Sequence, residues 1–278
     1  MFSSLYEPLP DLDKAMERIG CAGLEIRHDE ETLDKLVNSF LTHIPYENLD
    51  VSIMHLTPSL ASRDLYDKIV TRRRGGYCFE MNGFMWLILR DLGFRTYSVS
   101  CYVLEYKSWL GDLGHRANVV ESDGRKYLVD VGFGGKNTAA FAVPLDGTVK
   151  NGFFIQYDED EREYTLCREV DEKRENEAGH GDYICRDGNG RTYIKIILFR
   201  DFKAYPQEFY LPNLAVSQCV KNHMTENIIV NLRNEKGEVY TMFNDEFRGT
   251  DASGSFERKV ENEEERKEIL KTYYGMNI

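Results

Sequence analysis

The chain has 278 residues, of which 42% are hydrophobic and 12% aromatic, and its formal net charge is -12. This apolar content excludes a disordered chain, and the length predicts two domains or three small packed units. The acidic charge opposes binding to a phosphate backbone or an anionic lipid surface, so we expect neither nucleic acid nor a membrane as a partner.

The N-terminal segment MFSSLYEPLP has no basic region followed by an apolar one, and no run of about 18 uncharged apolar residues occurs in the sequence. We therefore expect a cytoplasmic protein. Its six cysteines lack CxxC pairs and the Cys/His spacing of a structural zinc site, which predicts reduced thiols and no metal site. These cysteines are Cys21, Cys78, Cys101, Cys167, Cys185 and Cys219.

The first third of the chain has the apolar periodicity of helices. Residues 29–43 place apolar side chains on one stripe with acidic residues in the first turn, and residues 62–72 repeat the pattern. A third helix is predicted to begin near Cys78 and to stop at Gly93. Residues 1–92 are therefore predicted to form a helical unit.

The middle of the chain, residues 93–205, has the β-branched and aromatic runs of short strands. Because no helix-length crossover separates the first of them, they predict an antiparallel sheet that curls into a barrel. The charged stretches DEDERE and DEKRENEAGHGD favour an exposed loop or hairpin. Strands are predicted over 95–104, 117–121, 126–131, 153–157, 164–167 and 192–199.

The last third, residues 206–278, mixes both kinds of element. Two strands are predicted over 228–232 and 239–243, followed by a charged helix over 261–274. The sequence as a whole therefore predicts an α+β protein with several domains.

Cys78 stands out among the cysteines because it follows Gly75-Gly76 in the segment RRRGGYCFE, where a loop is predicted to become a helix. The N-H groups of a helix N-terminus and nearby arginines both favour a thiolate over a thiol. The alternative is a tight Gly-Gly turn beside a cysteine that only fills the core.

A thiolate that transfers acyl groups needs a histidine, and the histidine needs an acceptor on its other nitrogen. His115 begins the predicted strand HRANVVE, and Asp130 lies near the end of the predicted strand KYLVDV. A hairpin through Asp123-Gly124 would bring both residues to one face, since each lies seven or eight residues from the turn. Each residue alone is a weak signal, and His115 is the best histidine by elimination.

Asp130 is followed by the glycine-rich turn VGFGG, whose N-H groups could cradle phosphate oxygens or line a cleft. The GxGxxG spacing and the strand-to-helix setting of a nicotinamide site are missing, and so is GxSxG. These absences argue against a nicotinamide cofactor and against a serine hydrolase of the usual type.

The segment RRGGYCFEMN, which contains Cys78, resembles the active-site segment of the arylamine N-acetyltransferases. IPYENLD, residues 44–50, is similar to that family's Ile-Pro-Phe-Glu-Asn-Leu motif, and YLVDVGFG, residues 127–134, is similar to its Asp-bearing strand and glycine turn. The motifs occur in the family's order, and the resemblance spans the helical unit and the barrel and extends more faintly to the C-terminus.

The resemblance implies a cysteine-protease-like triad of Cys78, His115 and Asp130 on a fold of three parts. These are a helical bundle (1–92), an antiparallel β-barrel (93–205) and an α/β lid (206–278). It also implies ping-pong chemistry with acetyl-coenzyme A as co-substrate, arylamine or hydrazine acceptors, and no permanently bound cofactor.

Further residue roles follow from the resemblance alone. Tyr46 and Phe133 are expected to line the acceptor pocket, Gly132, Gly134 and Gly135 to lie near the coenzyme, and Arg74 and Glu47 to hold the cysteine loop. The chain departs from the family in having Asn222-His223-Met224 where Ser-Pro-Phe is common, and Tyr46 where Phe is usual.

Two other functions are compatible with the same residues. A cysteine hydrolase of the papain or transglutaminase type would use the same triad on water or a peptide amine. A binding module would hold a small ligand beside an inert Cys78. Acceptor-dependent release of coenzyme A distinguishes the transferase from the hydrolase, and thiol reactivity distinguishes both enzymes from the binding module.

Overall fold

The computed structural model describes residues 2–104, 114–170, 183–187, 189–218, 222–251 and 254–278. The charged stretch 171–182 and Cys219 therefore lie outside the described residues. The five described cysteines are all free thiols. No helix in the described ranges is both long and apolar enough to cross a membrane.

The N-terminal part is helical, as predicted. Helix α5 is the central element, because residues on all its sides are buried, and it begins at Cys78 itself. Asp29 caps α2 by accepting the Thr32 N-H group, which explains why the acidic segment starts that helix. The elements are α1 Leu12–Arg18, α2 Glu30–His43, a short strand β1 Tyr46–Glu47, α3 Leu49–Ser52, α4 Ser62–Tyr66, a π-helical turn Asp67–Thr71 and α5 Cys78–Asp91.

The middle part is an eight-stranded antiparallel sheet in the order β5-β4-β3-β2-β9-β7-β6, with β8 also paired to β9. The end strands β5 and β6 lie side by side, so the sheet is nearly closed into a barrel. The strands are β2 Arg95–Val103, β3 His115–Ser122, β4 Arg125–Val129, β5 Val143–Pro144, β6 Phe153–Asp158, β7 Glu163–Glu169, β8 Ile184–Arg186 and β9 Thr192–Phe199.

The hairpin between β3 and β4 has the turn that the sequence predicted. Ser122 pairs with Arg125, and both Asp123 and Gly124 have positive φ, at 49° and 74°. Two consecutive residues with positive φ match the right-handed twist of a tight hairpin. Asn118 pairs with Val129, so His115 and Asp130 lie beyond the last paired residues on one diagonal of the hairpin.

The C-terminal part contains a five-stranded antiparallel sheet in the order β1-β10-β11-β12-β13, in which β1 comes from the helical part. The hairpin β12–β13 adds two strands to the two that the sequence predicted. The helix predicted over 261–274 is α8, with Asn262 as its N-cap. The remaining elements are α6 Tyr210–Gln218, α7 His223–Glu226, β10 Ile229–Arg233, β11 Val239–Phe243, β12 Glu246–Asp251, β13 Gly254–Lys259 and α8 Glu263–Tyr274.

The α+β fold class is confirmed: helices, a nearly closed barrel and a second sheet with its own helices follow one another along the chain. The division at residues 92 and 205 stays a prediction. Strand β1 crosses it, since Tyr46 pairs with Asn231 and Glu47 with Val230.

Candidate active site

The two glycines before Cys78 are required by close packing. A Cβ on Gly75 would lie 1.7 Å from the Pro45 carbonyl oxygen, and one on Gly76 would lie 2.8 Å from a carboxylate oxygen of Glu80. That carboxylate accepts the Tyr77 N-H group at 3.2 Å, which fixes the first turn of α5. The loop therefore presents Cys78 as the first residue of the helix, where unpaired N-H groups favour negative charge.

A buried cluster of charges anchors this loop. Arg74 bonds Glu47 and Asp50, each at 2.8 Å, and both of the expected partners, Arg74 and Glu47, are buried. The Lys68 ammonium lies 2.7 Å from both Asp50 and Glu80. Burial raises the pKa of Glu80 to about 7, although Lys68 opposes the rise. The cluster connects α3, the turn before the cysteine loop and α5.

The structure brings Cys78, His115 and Asp130 together. His115 Nε2 lies 2.7 Å from Asp130 Oδ2, and Cys78 lies close enough to the same imidazole to help raise its pKa. Because Nε2 is bonded to the carboxylate, Nδ1 is the nitrogen left to face the sulfur. All three residues are buried, with Cys78 at 7% and His115 at 3% exposure. The thiol also points to the Gly114 carbonyl, at 3.8 Å.

Asn82 holds the aspartate in place, and the sequence reasoning missed it. Its Nδ2 donates to Asp130 Oδ1 at 2.8 Å, and its Oδ1 accepts the Val131 N-H group at 2.9 Å. The Gly132 N-H group donates to the same Asp130 oxygen at 2.9 Å. Asn82 follows Cys78 by one helical turn, and this i, i+4 spacing is the signal that could have identified it.

The electrostatics of the pair favour an imidazolium beside a carboxylate. Burial lowers the pKa of His115, but the Asp130 carboxylate and the Cys78 thiol outweigh this and raise it to about 10. Burial opposes ionisation of Asp130, yet the charge of His115 and the hydrogen bonds from Asn82 and Gly132 lower its pKa below the ordinary value. The site therefore holds a positive charge on His115 next to a negative charge on Asp130.

Of the two residues expected to line an acceptor pocket, Phe133 belongs to the glycine turn and Tyr46 packs against it. The ring of Phe133 meets that of His115 edge to face, with centroids 5.6 Å apart. Tyr46 is buried beneath Gly134, whose Cβ would lie 3.2 Å from its ring, and its hydroxyl lies 3.6 Å from the sulfur of Met224. Met224 belongs to the segment that departs from the family pattern.

The three glycines of the turn have different surroundings. A Cβ on Gly132 would lie 2.8 Å from Cys78 Cα, so this glycine lets the turn pack against the start of α5. Gly134 and Gly135 have positive φ and line a small cleft that Arg233 also borders. A Cβ on Gly135 would meet nothing within 4 Å. Contact of these glycines with a coenzyme stays a prediction.

No group of three His, Cys, Asp or Glu side chains in the described part of the chain could hold a metal ion. The site residues thus consist of a thiol, an imidazole, a carboxylate and the amide of Asn82. Together they can ionise a sulfur, orient an imidazole and shuttle one proton between them.

Comparison with known proteins agrees with this chemistry. A family model described as N-acetyltransferase matches residues 29–278. The arylamine N-acetyltransferase of Mycolicibacterium smegmatis is 39% identical over 132 residues, covering 45% of this chain and 47% of the relative. Arylamine N-acetyltransferase 1 of Homo sapiens is 25% identical over 287 residues, covering 96% of this chain and 94% of the relative. The first alignment thus spans about half of its relative and the second nearly all of it.

Solved structures share the fold. The arylamine N-acetyltransferase of Mycobacterium marinum superposes with a TM-score of 0.78 at 22% identity, covering 96% of this chain and 93% of that one. The enzyme from Salmonella typhimurium gives a TM-score of 0.79 at 22% identity, covering 97% and 92%. The family match over nearly the whole chain, together with this common fold, places the chain in the arylamine N-acetyltransferase family of acyltransferases.

Proposed function

We propose that the protein transfers an acetyl group from acetyl-coenzyme A to the nitrogen of arylamines and arylhydrazines through a thioester on Cys78. The observation that carries this proposal is the contact of three groups from distant parts of the chain. Cys78 begins a buried helix, His115 faces its thiol, and Asp130 binds the far nitrogen of His115 at 2.7 Å.

In the first half-reaction the Cys78 thiolate attacks the thioester carbonyl of acetyl-coenzyme A. The bond from the acetyl carbon to the coenzyme sulfur breaks, and His115 gives its proton to the departing thiolate. Exchange of one thioester for another is nearly neutral in free energy, so acetyl-Cys78 remains reactive. Neutral His115 is the state that this step leaves behind.

In the second half-reaction the acceptor amine attacks the carbonyl carbon of acetyl-Cys78. The bond from that carbon to the Cys78 sulfur breaks, Cys78 leaves as the thiolate, and His115 takes the amine proton. The Cys78 thiolate is one of the groups that raise the pKa of His115, and acylation removes its charge. The imidazole is therefore better suited to remain neutral, and so to act as a base, in the acyl-enzyme than in the free enzyme. Asp130 and Asn82 keep the ring in one orientation throughout.

Weakly basic, planar nitrogen nucleophiles fit this site best. Arylamines and hydrazines are unprotonated at neutral pH, so their lone pair is available. Phe133 stands edge to face with His115, and Tyr46 and Met224 contact each other next to the glycine turn. Such a wall of flat and polarisable side chains favours aromatic acceptors. We propose that the coenzyme binds beside Gly134 and Gly135. We also propose that the protein is cytosolic.

The test is a pre-steady-state assay with acetyl-coenzyme A, with and without an arylamine. We expect a burst of free coenzyme A equal to the enzyme concentration, followed by turnover only when the amine is present. Cys78→Ser and Cys78→Ala should give neither, while their circular dichroism stays that of the unaltered protein.

Cys101, a fully buried thiol on β2, offers the control: Cys101→Ser should retain the burst, which assigns it to Cys78 and not to any thiol. Turnover without an amine, or cleavage of a peptide, would favour the hydrolase instead. Full activity of Cys78→Ala would refute the proposal.

A further inference from the structure

Two cysteines of the barrel, Cys167 on β7 and Cys185 on β8, lie in contact, and the mechanism above uses neither of them. Their sulfur atoms are 3.8 Å apart. Both are free thiols, and Cys167 is fully buried whereas Cys185 is partly exposed. A small reagent can therefore reach the pair from the Cys185 side.

Strand β9 lies between the two strands that carry these cysteines. Ile194 of β9 pairs with Arg168 of β7 on one edge and with Ile184 of β8 on the other. Strands that flank a common neighbour lie roughly 9 Å apart, since adjacent strands are spaced by about 4.7–4.9 Å. The Cα atoms of a disulfide lie only about 4.4–6.8 Å apart. The backbone thus keeps the two cysteines too far apart for a disulfide, although their side chains touch.

Aromatic rings share the face of the sheet on which the two sulfurs lie. Phe154 pairs with Cys167 in the ladder. Tyr193 pairs with Cys185. Paired residues of an antiparallel ladder point to the same face, and the two rings meet edge to face with centroids 4.8 Å apart. An aryl group held at the sulfurs would pack against these rings.

The contact between the two sulfurs makes the thiols unequal. It lowers the pKa of Cys185 below the ordinary value, although burial opposes this, and it raises the pKa of Cys167. Lys195, which pairs with Cys167 in the ladder, adds a positive charge that favours both thiolates. Because the thiolate is the nucleophile and the ligand, Cys185 is the sulfur that reacts first.

The number of ligands decides what the pair can hold. In the part of the chain that the structure describes, no third His, Cys, Asp or Glu joins the two sulfurs in a group that could hold a metal ion. Structural zinc takes four ligands, so two sulfurs are too few for it. Trivalent arsenic that already carries one aryl group needs only two further bonds, and it prefers soft sulfur ligands as Cu(I) does. Two sulfurs in contact supply both bonds.

We propose that Cys167 and Cys185 form a binding site for aryl compounds of trivalent arsenic, in which one arsenic atom bonds to both sulfurs. The Cys185 thiolate attacks the arsenic of hydrated phenylarsine oxide and one hydroxide leaves, and the Cys167 sulfur then displaces the second hydroxide. Two arsenic–oxygen bonds break, two arsenic–sulfur bonds form, and the thiol protons leave with the hydroxides as water. Arsenic stays trivalent, so no oxidant or reductant is consumed. The site does not depend on the proposed acetyl transfer.

The experiment incubates the full chain with phenylarsine oxide and removes unbound reagent by gel filtration in excess β-mercaptoethanol, which releases arsenic from single thiols. Native mass spectrometry then counts the phenylarsenic groups that remain on the protein. We expect one group per chain, and we expect the dithiol dithiothreitol to release it.

Cys167→Ser and Cys185→Ser each leave a single sulfur at the site. We expect either variant to bind phenylarsine oxide at least about a hundredfold more weakly, because a second bond within one molecule adds that much to the affinity. Cys101→Ser is the matched control, since Cys101 is also a fully buried cysteine on a barrel strand, and it should retain one group per chain. Cys78→Ser should do the same, which separates this site from the catalytic thiol. If Cys167→Ser does not fold, Cys167→Ala replaces it.

No retained group in the unaltered protein, or equal retention in Cys167→Ser and Cys185→Ser, would overturn the inference. Loss of the group in Cys78→Ser or Cys101→Ser would also overturn it, because the arsenic would then be bound at another thiol. Retention that needs both Cys167 and Cys185, in a protein that acetylates no amine, would support this site and contradict the proposed function alone.

Discussion

Replacing Gly132 by alanine would push the turn after Asp130 away from the helix that carries Cys78. The new Cβ would lie 2.8 Å from Cys78 Cα, 3.1 Å from the Cys78 carbonyl oxygen and 2.7 Å from Asn82 Nδ2. Carbon atoms in contact prefer separations of about 3.5–4.0 Å, so the two segments must part by more than half an ångström. The Gly132 N-H group is bonded to Asp130, so the displacement reaches the carboxylate.

The size of the effect follows from this overlap. Overpacking of a well-packed interior costs about 1–3 kcal/mol, because backbone on both sides resists the shift. A misplacement of roughly 1 Å between catalytic groups lowers the rate about a hundredfold. We therefore expect Gly132→Ala to lose about 1–3 kcal/mol of unfolding free energy and about two orders of magnitude in kcat/KM.

Urea unfolding and steady-state kinetics with a single arylamine measure both quantities. Gly135→Ala is the control: its φ of +64° strains an alanine by about 1 kcal/mol, but no atom lies within 4 Å of the added Cβ. It should lose stability while Cys78 keeps its rate of alkylation by iodoacetamide. A Gly132→Ala protein with unaltered stability and kcat/KM would refute the close approach on which this reasoning depends.

Three further changes test other parts of the structure. Lys68→Met leaves the buried carboxylates of Asp50 and Glu80 without their ammonium partner. We expect it to lower the free energy of unfolding, measured in urea, by about 3–5 kcal/mol. The control Arg63→Gln breaks an exposed ion pair with Glu7 and should lower it by less than about 1 kcal/mol. Burial lowers the pKa of His115, but Asp130 and Cys78 raise it to about 10, so the folded state holds a proton that the unfolded state releases above about pH 6.5. This stabilisation is complete below pH 6.5 and is lost as the pH rises towards 10. The urea midpoint of the unaltered protein should therefore fall from pH 7 to 8 to 9, and that of His115→Gln should fall less. Tyr46→Phe keeps the ring beneath Gly134 but loses the hydroxyl contact to Met224. The rate of single-turnover acetylation of Cys78 should change by less than about twofold, because the net energy of one hydrogen bond is small. Any larger effect should appear in the rate of transfer to the acceptor amine.

Local signals in the sequence were sufficient for the elements that hold the site. The glycines before Cys78 and the apolar run after it predict where α5 begins, and Asp123-Gly124 predicts the hairpin that aligns His115 with Asp130. Both signals lie within a few residues of the feature they determine. Backbone conformation at such positions is set by local sterics and hydrogen bonding.

Long-range pairing could not be predicted in the same way. Strand β1 has only two residues and is a strand because it pairs with β10, far along the chain. The hairpin β12–β13 was missed because its residues are mostly polar and the outer strand is exposed, which removes the hydrophobic alternation of a half-buried strand. These elements depend on partners that no local window contains.

The charged residues of the site show the same limit. In the run Arg72-Arg73-Arg74 only Arg74 is buried and paired with Glu47, while the other two side chains are exposed. Sequence alone does not say which basic side chain is buried, and Lys68 was missed for this reason. Asn82 could have been predicted from the sequence, since it lies one helical turn from Cys78.

The most direct test of the account is the intact mass of the protein after brief exposure to acetyl-coenzyme A and removal of the excess. We predict a gain of one acetyl group, located on the Cys78 peptide as a thioester, which disappears when an arylamine is added and yields the acetylated amine. His115→Gln should acquire the label far more slowly. No mass gain, or an acetyl group on another residue that the amine cannot remove, would contradict the central claim that Cys78 carries the acyl group.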